Sequence, residues 1–175
     1  MEITAIAFQL FTAGHETTAN MLSLGTYTLL TNPEQLAMLR ADHSLLEGAV
    51  EEMLRYLTVI QFGISRAALE DVEVEGTTVR AGQTVTVSLP AANRDPGRFP
   101  DPDTFDITRP AAANVSFGFG VHQCVAQQLA RAEMRIGFKT LLQQLPELRL
   151  AVPADEVPMR EGAIVYGVES LPVTW

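Results

Sequence analysis

The stretch Phe117-Gly118-Phe119-Gly120-Val121-His122-Gln123-Cys124-Val125-Ala126 carries the only cysteine of the chain, in a loop with two glycines. Directly after it, Val125, Leu129, Ala132 and Ile136 fall at i, i+4, i+7 and i+11. That spacing predicts a helix over 125–144 with Cys124 at its start. A helix start offers unpaired N–H groups and a positive dipole end, which favour a thiolate over a thiol. The thiolate is both the metal ligand and the nucleophile. A lone cysteine is ordinarily a small buried hydrophobe. The glycines and the helix start point away from that role here without saying what the thiolate binds.

Several familiar patterns fail on spacing. Gly118-x-Gly120-x-x-Gln123 lacks the third glycine of a dinucleotide fingerprint, and no Gly-Lys-Ser/Thr follows it to make a phosphate loop. His15-Glu16 opens a zinc-protease motif, but Ala19 stands where the second histidine belongs. His15, His43 and His122 are the available partners for Cys124 in a cysteine hydrolase, and none has a telling local context. A single cysteine also excludes an internal disulfide and any Cys₂ or Cys₄ metal site.

The segment before the loop, 90–116, contains Asp95-Pro96 and Asp101-Pro102 and reads as ordered coil. From Val59 to Leu89 the pattern approaches period two. It gives short strands at Val72-Val74, Thr77-Val79 and Val85-Val87, punctuated by Gly76 and Gly82. A helix over 44–57 is expected to start at Ser44, with Glu47 three residues on as a capping box. A short helix covers 33–40. The N-terminal residues 1–31 read as one long helix, apolar nearly all round and therefore buried, ended by Asn32-Pro33. Its middle is interrupted by Ala13-Gly14-His15-Glu16-Thr17-Thr18, where a core helix should be blandest. The tail from Leu148 to Trp175 alternates weakly and predicts one or two edge strands.

At 175 residues the chain is long enough for one ordinary domain, and 47% apolar with 19% charged residues argues against disorder. The net charge of −9 and the absence of a basic cluster argue on electrostatic grounds against nucleic acid and anionic membrane as partners, so neither is expected. No apolar run reaches the length of a membrane span, and no disulfide needs an oxidising compartment; a cytoplasmic protein is expected.

Residues 117–126 resemble the haem-binding loop of the cytochromes P450, and three further motifs agree in order. Ala13-Gly14-His15-Glu16-Thr17-Thr18 is similar to the family's oxygen-binding stretch, and Glu52-Met53-Leu54-Arg55 to its Glu-x-x-Arg helix. Ala92-Asn93-Arg94-Asp95-Pro96 and Phe105-Asp106-Ile107-Thr108-Arg109 are similar to the segment before the haem loop. The wording looks most like a bacterial, actinomycete-type member. Family members are more than twice this length, so the resemblance implies the C-terminal half of the fold, from the central helix onward. That half is mainly α with small β-sheets (α+β).

The resemblance implies haem b, iron protoporphyrin IX, with Cys124 as axial ligand to the iron. It implies that Arg66 and His122 hold the propionates, and that Phe117 packs beneath the ring beside the sulfur. Gly118 would let the backbone lie close under the porphyrin. Ala126 stands where the family usually has glycine. Ala13 and Gly14 would border the dioxygen pocket, opened by the Thr17 hydroxyl bonding back to the Ala13 carbonyl. Glu16 would be the proton source and Thr17 the hydroxyl that relays protons toward dioxygen. Glu52, Arg55 and Arg109 would form a buried structural cluster, and the turn 58–64, with Val59, Ile60 and Phe62, would line the substrate site. The implied activity is a monooxygenase acting on an apolar organic substrate with O2. Its electrons would come from NAD(P)H through ferredoxin reductase and ferredoxin. The absent half, or self-association, would cover the central helix. The alternative is a haem-free remnant acting as an interaction module.

Overall fold

The computed structural model describes residues 2–175; Met1, the first residue of the expected long helix, lies outside them. Helix α1 spans Glu2–Thr31, α2 Pro33–Ala41 and α3 Leu46–Leu57, and a short α4 covers Leu89–Asn93. Helix α5 spans Gln127–Gln144. Three two-stranded antiparallel sheets pair β1 (Ile64–Ala67) with β4 (Thr84–Val87), β2 (Val72–Val74) with β3 (Thr77–Val79), and β5 (Arg149–Leu150) with β6 (Val173–Thr174). The fold is α+β, and the tail, where one or two edge strands are expected, forms β5 and β6.

Helix α3 is the centre of the core. Its stripe of Ala49, Val50, Met53 and Leu54 is almost fully buried. Met21, Leu24 and Leu29 of α1, Leu36 and Leu39 of α2, and Met134, Phe138 and Leu142 of α5 close around it. The coil before the loop adds Phe105 and Ile107. Gly25 lets α1 reach this core: a Cβ there would collide with the Phe138 ring.

Four expectations need correction. Helix α1 is buried only in its second half, from Asn20 to Leu29; Ile3, Phe8 and Phe11 are 84%, 69% and 71% exposed. All-round apolarity needs a cover on every side, and the described residues supply it only where α3 and α5 pack. Ser44 does not cap α3. Asp42 accepts from the Ser44 backbone N–H at 2.8 Å and starts a 3-10 turn at His43–Leu45 that runs into α3 at Leu46. The segment 90–116 is not all coil, because the Ser88 hydroxyl caps α4 and Pro90 fits its first turn. Cys124 precedes α5 by three residues instead of standing at its first turn.

Candidate functional site

Helix α3 ends at Thr58, in left-handed conformation (φ 36°), and its termination fixes the base of the site. The fully buried Asn93 amide donates to Thr58 Oγ1 and to Ser116 Oγ, both at 2.8 Å, while its Oδ1 accepts from Val115 N–H at 2.8 Å. Ser116 Oγ donates to the Leu54 carbonyl at 2.6 Å. One side chain thereby joins α4, the end of α3 and the approach to the loop. Beyond it, Cys124 N–H donates to the Phe117 carbonyl at 2.9 Å, closing the loop on itself. Gly118 (φ 74°) and Gly120 (φ 79°) take the left-handed turns this closure needs.

Cys124 is exposed and faces a cavity of about 240 Å³ between α1, the end of α3, the loop and α5. Ala13, Thr17, Phe117 and His122 also line it, and Met21, Leu54, Val59, Ile60 and Met134 make its wall apolar. A second cavity of about 370 Å³ adjoins it through Ile64, Leu89 and His122 and brings in Arg66 and Gly118. Of the expected site residues, seven fall on these two cavities: Ala13, Thr17, Phe117, His122, Cys124, Arg66 and Gly118.

Gly14 and Glu16 line neither cavity. Consecutive helical residues do not share a face, so Glu16 and Thr17 look into different spaces. Glu16 pairs with Arg160 at 2.7 Å in an outer groove with Phe11, His15, Asn20 and Glu169. His15 stacks on Phe11 in the same groove. Phe62, expected with the apolar turn, is 59% exposed, whereas Val59 and Ile60 reach the cavity.

The Thr17 hydroxyl donates to the Ala13 carbonyl at 2.7 Å, as the Gly-x-x-Thr pattern suggested. The bond itself does not distinguish Thr17, because Thr12, Ser23, Thr26 and Thr28 do the same in α1. Its place on the cavity wall does.

Glu52 and Arg55 are fully buried. Arg55 donates to Glu52 through Nε at 2.7 Å and Nη2 at 2.8 Å, and Arg109 Nε reaches Glu52 Oε1 at 3.2 Å. Nearby, the Thr108 hydroxyl and N–H hold the Asp106 carboxyl below its ordinary range. Sequence reasoning passed over Arg131, Glu51, Asn114 and Arg160. The one available signal was the placement of Arg131 in the helix that directly follows Cys124.

This setting fits haem by its chemistry. Among the described residues no group of three or more His, Cys, Asp or Glu side chains could hold a metal ion. A lone thiolate suits an iron already chelated by a macrocycle. The apolar cavity suits the body of a porphyrin, and the adjoining Arg66 and His122 suit its carboxylates.

Comparison with known proteins agrees. The family described as Cytochrome P450 matches residues 1–167. The chain is 53% identical to Cytochrome P450 105C1 of a Streptomyces species over 99% of its own length and 46% of that protein's. It is 53% identical to pentalenic acid synthase of Streptomyces avermitilis over 99% of its length and 43% of that protein's. The crystal structure of cytochrome P450 MoxA from Nonomuraea recticatena superposes with a TM-score of 0.95 at 51% identity, covering 98% of this chain and 42% of that one. The chain thus spans less than half the length of these relatives. No helix among the described residues is long and apolar enough to cross a membrane. With four motifs in order, a thiol at the mouth of an apolar cavity, and about half of all residues identical to actinomycete proteins over nearly its whole length, the chain belongs to the cytochrome P450 family.

Proposed function

We propose that this chain is the C-terminal half of a P450 domain and carries the haem-thiolate centre of a monooxygenase. The reaction inserts one oxygen atom of O2 into an apolar organic substrate: RH, O2, two electrons and two protons give ROH and water. NAD(P)H would supply the electrons through ferredoxin reductase and ferredoxin. The observation that carries this reading is the meeting of Cys124 and Thr17 on one apolar cavity.

Haem held by a thiolate, when bound, supplies reductive activation of O2 and cleavage of the O–O bond. Cys124 would hold its iron through Sγ, Arg66 and His122 its propionates, and Phe117, Gly118 and Ala13 would border it. The apolar wall of Met21, Leu54, Val59, Ile60 and Met134 excludes water and selects apolar substrate surface. Thr17 presents Oγ1 at that wall while its proton rests on the Ala13 carbonyl. Glu16 would be the proton source, its carboxylate standing beside Arg160 in the outer groove.

The test is the spectrum of the chain purified with haem supplied, reduced under carbon monoxide. A strongly red-shifted Soret band, lost in Cys124→Ser, is expected. A conventional haem-carbonyl band in the unaltered chain sinks the reading. The uncovered first half of α1 favours a second one, a haem-free interaction module, whose sign would be no haem uptake at all.

A further inference from the structure

The geometry points to Arg131 as a positioning residue for the thiolate loop, acting on Cys124 through Phe117; this rests on the reading of that loop as the haem ligand's carrier. Arg131 rises from α5 and meets three other groups. Its Nε and Nη2 donate to Glu51 of α3 at 2.5 and 3.2 Å. Its Nη1 donates to the Gln127 side-chain oxygen at 3.0 Å, and its guanidinium lies 4.7 Å from the centre of the Phe117 ring. The pair is mostly sheltered, with side chains 18% and 13% exposed.

Glu51 extends the bracket to the other end of the approach segment. Its Oε2 also accepts from the Asn114 amide at 3.0 Å, and Asn114 Oδ1 accepts from Ser116 N–H at 3.1 Å. The stretch from Asn114 to Phe117, anchored at Val115 and Ser116 by Asn93, is therefore also braced at both ends by the ion pair bridging α3 and α5. Phe117 in turn accepts from Cys124 N–H. A guanidinium matches both tasks, because it forks onto a carboxylate and lies flat on an aromatic face, whereas an ammonium does neither in plane.

Arg135 supplies the control. One turn further along α5 it pairs with Glu47 of α3 at 3.7 Å, side chains 42% and 80% exposed. It bridges the same two helices and, among the described residues, has no hydrogen bond or ring contact with the loop.

Amide hydrogen exchange of Cys124 and Val50 in the chain as purified compares Arg131→Gln, Glu51→Gln, Arg131→Lys and Arg135→Gln. Arg131→Gln and Glu51→Gln are expected to speed Cys124 exchange at least tenfold with the core amide of Val50 unchanged; Arg135→Gln leaves both as they were. Arg131→Lys is expected to restore only part of the protection. In the haem-loaded chain, Arg131→Gln shifts the ferric–ferrous equilibrium toward ferric about tenfold, which is about 59 mV for one electron, and Arg135→Gln does not. Equal exchange in Arg131→Gln and Arg135→Gln, or full rescue by lysine, overturns the assignment. Should the unaltered chain take up no haem, the monooxygenase reading fails for this chain, and the exchange rates alone decide the role of Arg131.

Discussion

Glu52 carries a charge with no access to water, and four donors compensate it. Besides the two Arg55 bonds and the Arg109 Nε, the Asp106 backbone N–H donates to Oε1 at 3.1 Å. Such a cluster adds little net stability when complete, but removing one member strands the others. Glu52→Gln is expected to cost about 3–5 kcal/mol, measured as a fall in the urea midpoint. Arg55→Lys should not rescue Arg55→Gln, because Arg55 also donates to the carbonyls of Asn93, Pro102 and Thr104 and lysine has no planar fork. Asp106 next door gives a pH dependence. Its folded value lies below the ordinary 3.8, so its contribution is present above pH 3.8 and fades as pH falls through the lower folded value. Asp106→Asn should lower stability at pH 6 and leave it nearly unchanged well below pH 3, a difference that urea midpoints at the two pH values would reveal. At the cavity, Thr17→Val keeps the shape and removes the hydroxyl. On the proposed function it slows product formation by about 10²-fold with haem loading unchanged, read as product formed per NAD(P)H consumed.

Helices α1 and α5 meet at one point through a reciprocal pair of glycines, one on each helix. A Cβ on Gly25 would collide with the Phe138 ring, and one on Gly137 would press on the Leu22 methyls at 2.9 Å. At Gly14, by contrast, nothing lies within 4 Å. The same substitution should therefore have opposite signs: Gly25→Ala loses about 1–3 kcal/mol to overpacking, while Gly14→Ala gains up to about 1 kcal/mol of helix propensity. Denaturant titration of the two variants checks both. The helices were legible because apolar spacing marks a helical period, but the buried face followed from it only in α3, through Ala49, Val50, Met53 and Leu54. In α5 the stripe of Leu129 and Ile136 lies exposed, and the helix packs through Met134, Phe138 and Leu142. The haem loop was legible as a motif because local glycines and a cysteine must sit at fixed offsets. What escaped were pairings between ordinary surface-type residues far apart in sequence. Arg131 with Glu51, and Glu16 with Arg160, look like solvated charges until the backbone brings them together. The start of α3 escaped for a local reason, since Asp42 and Ser44 are both good caps and only the turn geometry chooses between them.

The chain as a whole is lopsided: a dense core around α3, and a long helix whose first half stands bare. Ile3, Phe8 and Phe11 expose a strip of apolar surface that water disfavours. Concentration-dependent association is expected in sedimentation experiments, and Ile3→Glu with Phe11→Glu should reduce it without lowering the urea midpoint of the core. The second half of α1 is braced instead by the far end of the chain. Arg160 reaches Glu16, Tyr27 Oη donates to the Ala154 carbonyl at 3.3 Å, and Gly167 packs so closely on the Asn20 side chain that no Cβ would fit. Val59 accepts from Tyr166 N–H at 2.8 Å, tying the same tail to the exit of α3. The second half of α1 is thus buttressed by residues 127 to 147 positions later in the chain. At about 5–20 residues per second, synthesis separates the helix from that support by roughly 6–30 s. In that interval a nascent α1 presents its apolar surface to whatever chaperone or neighbour arrives first.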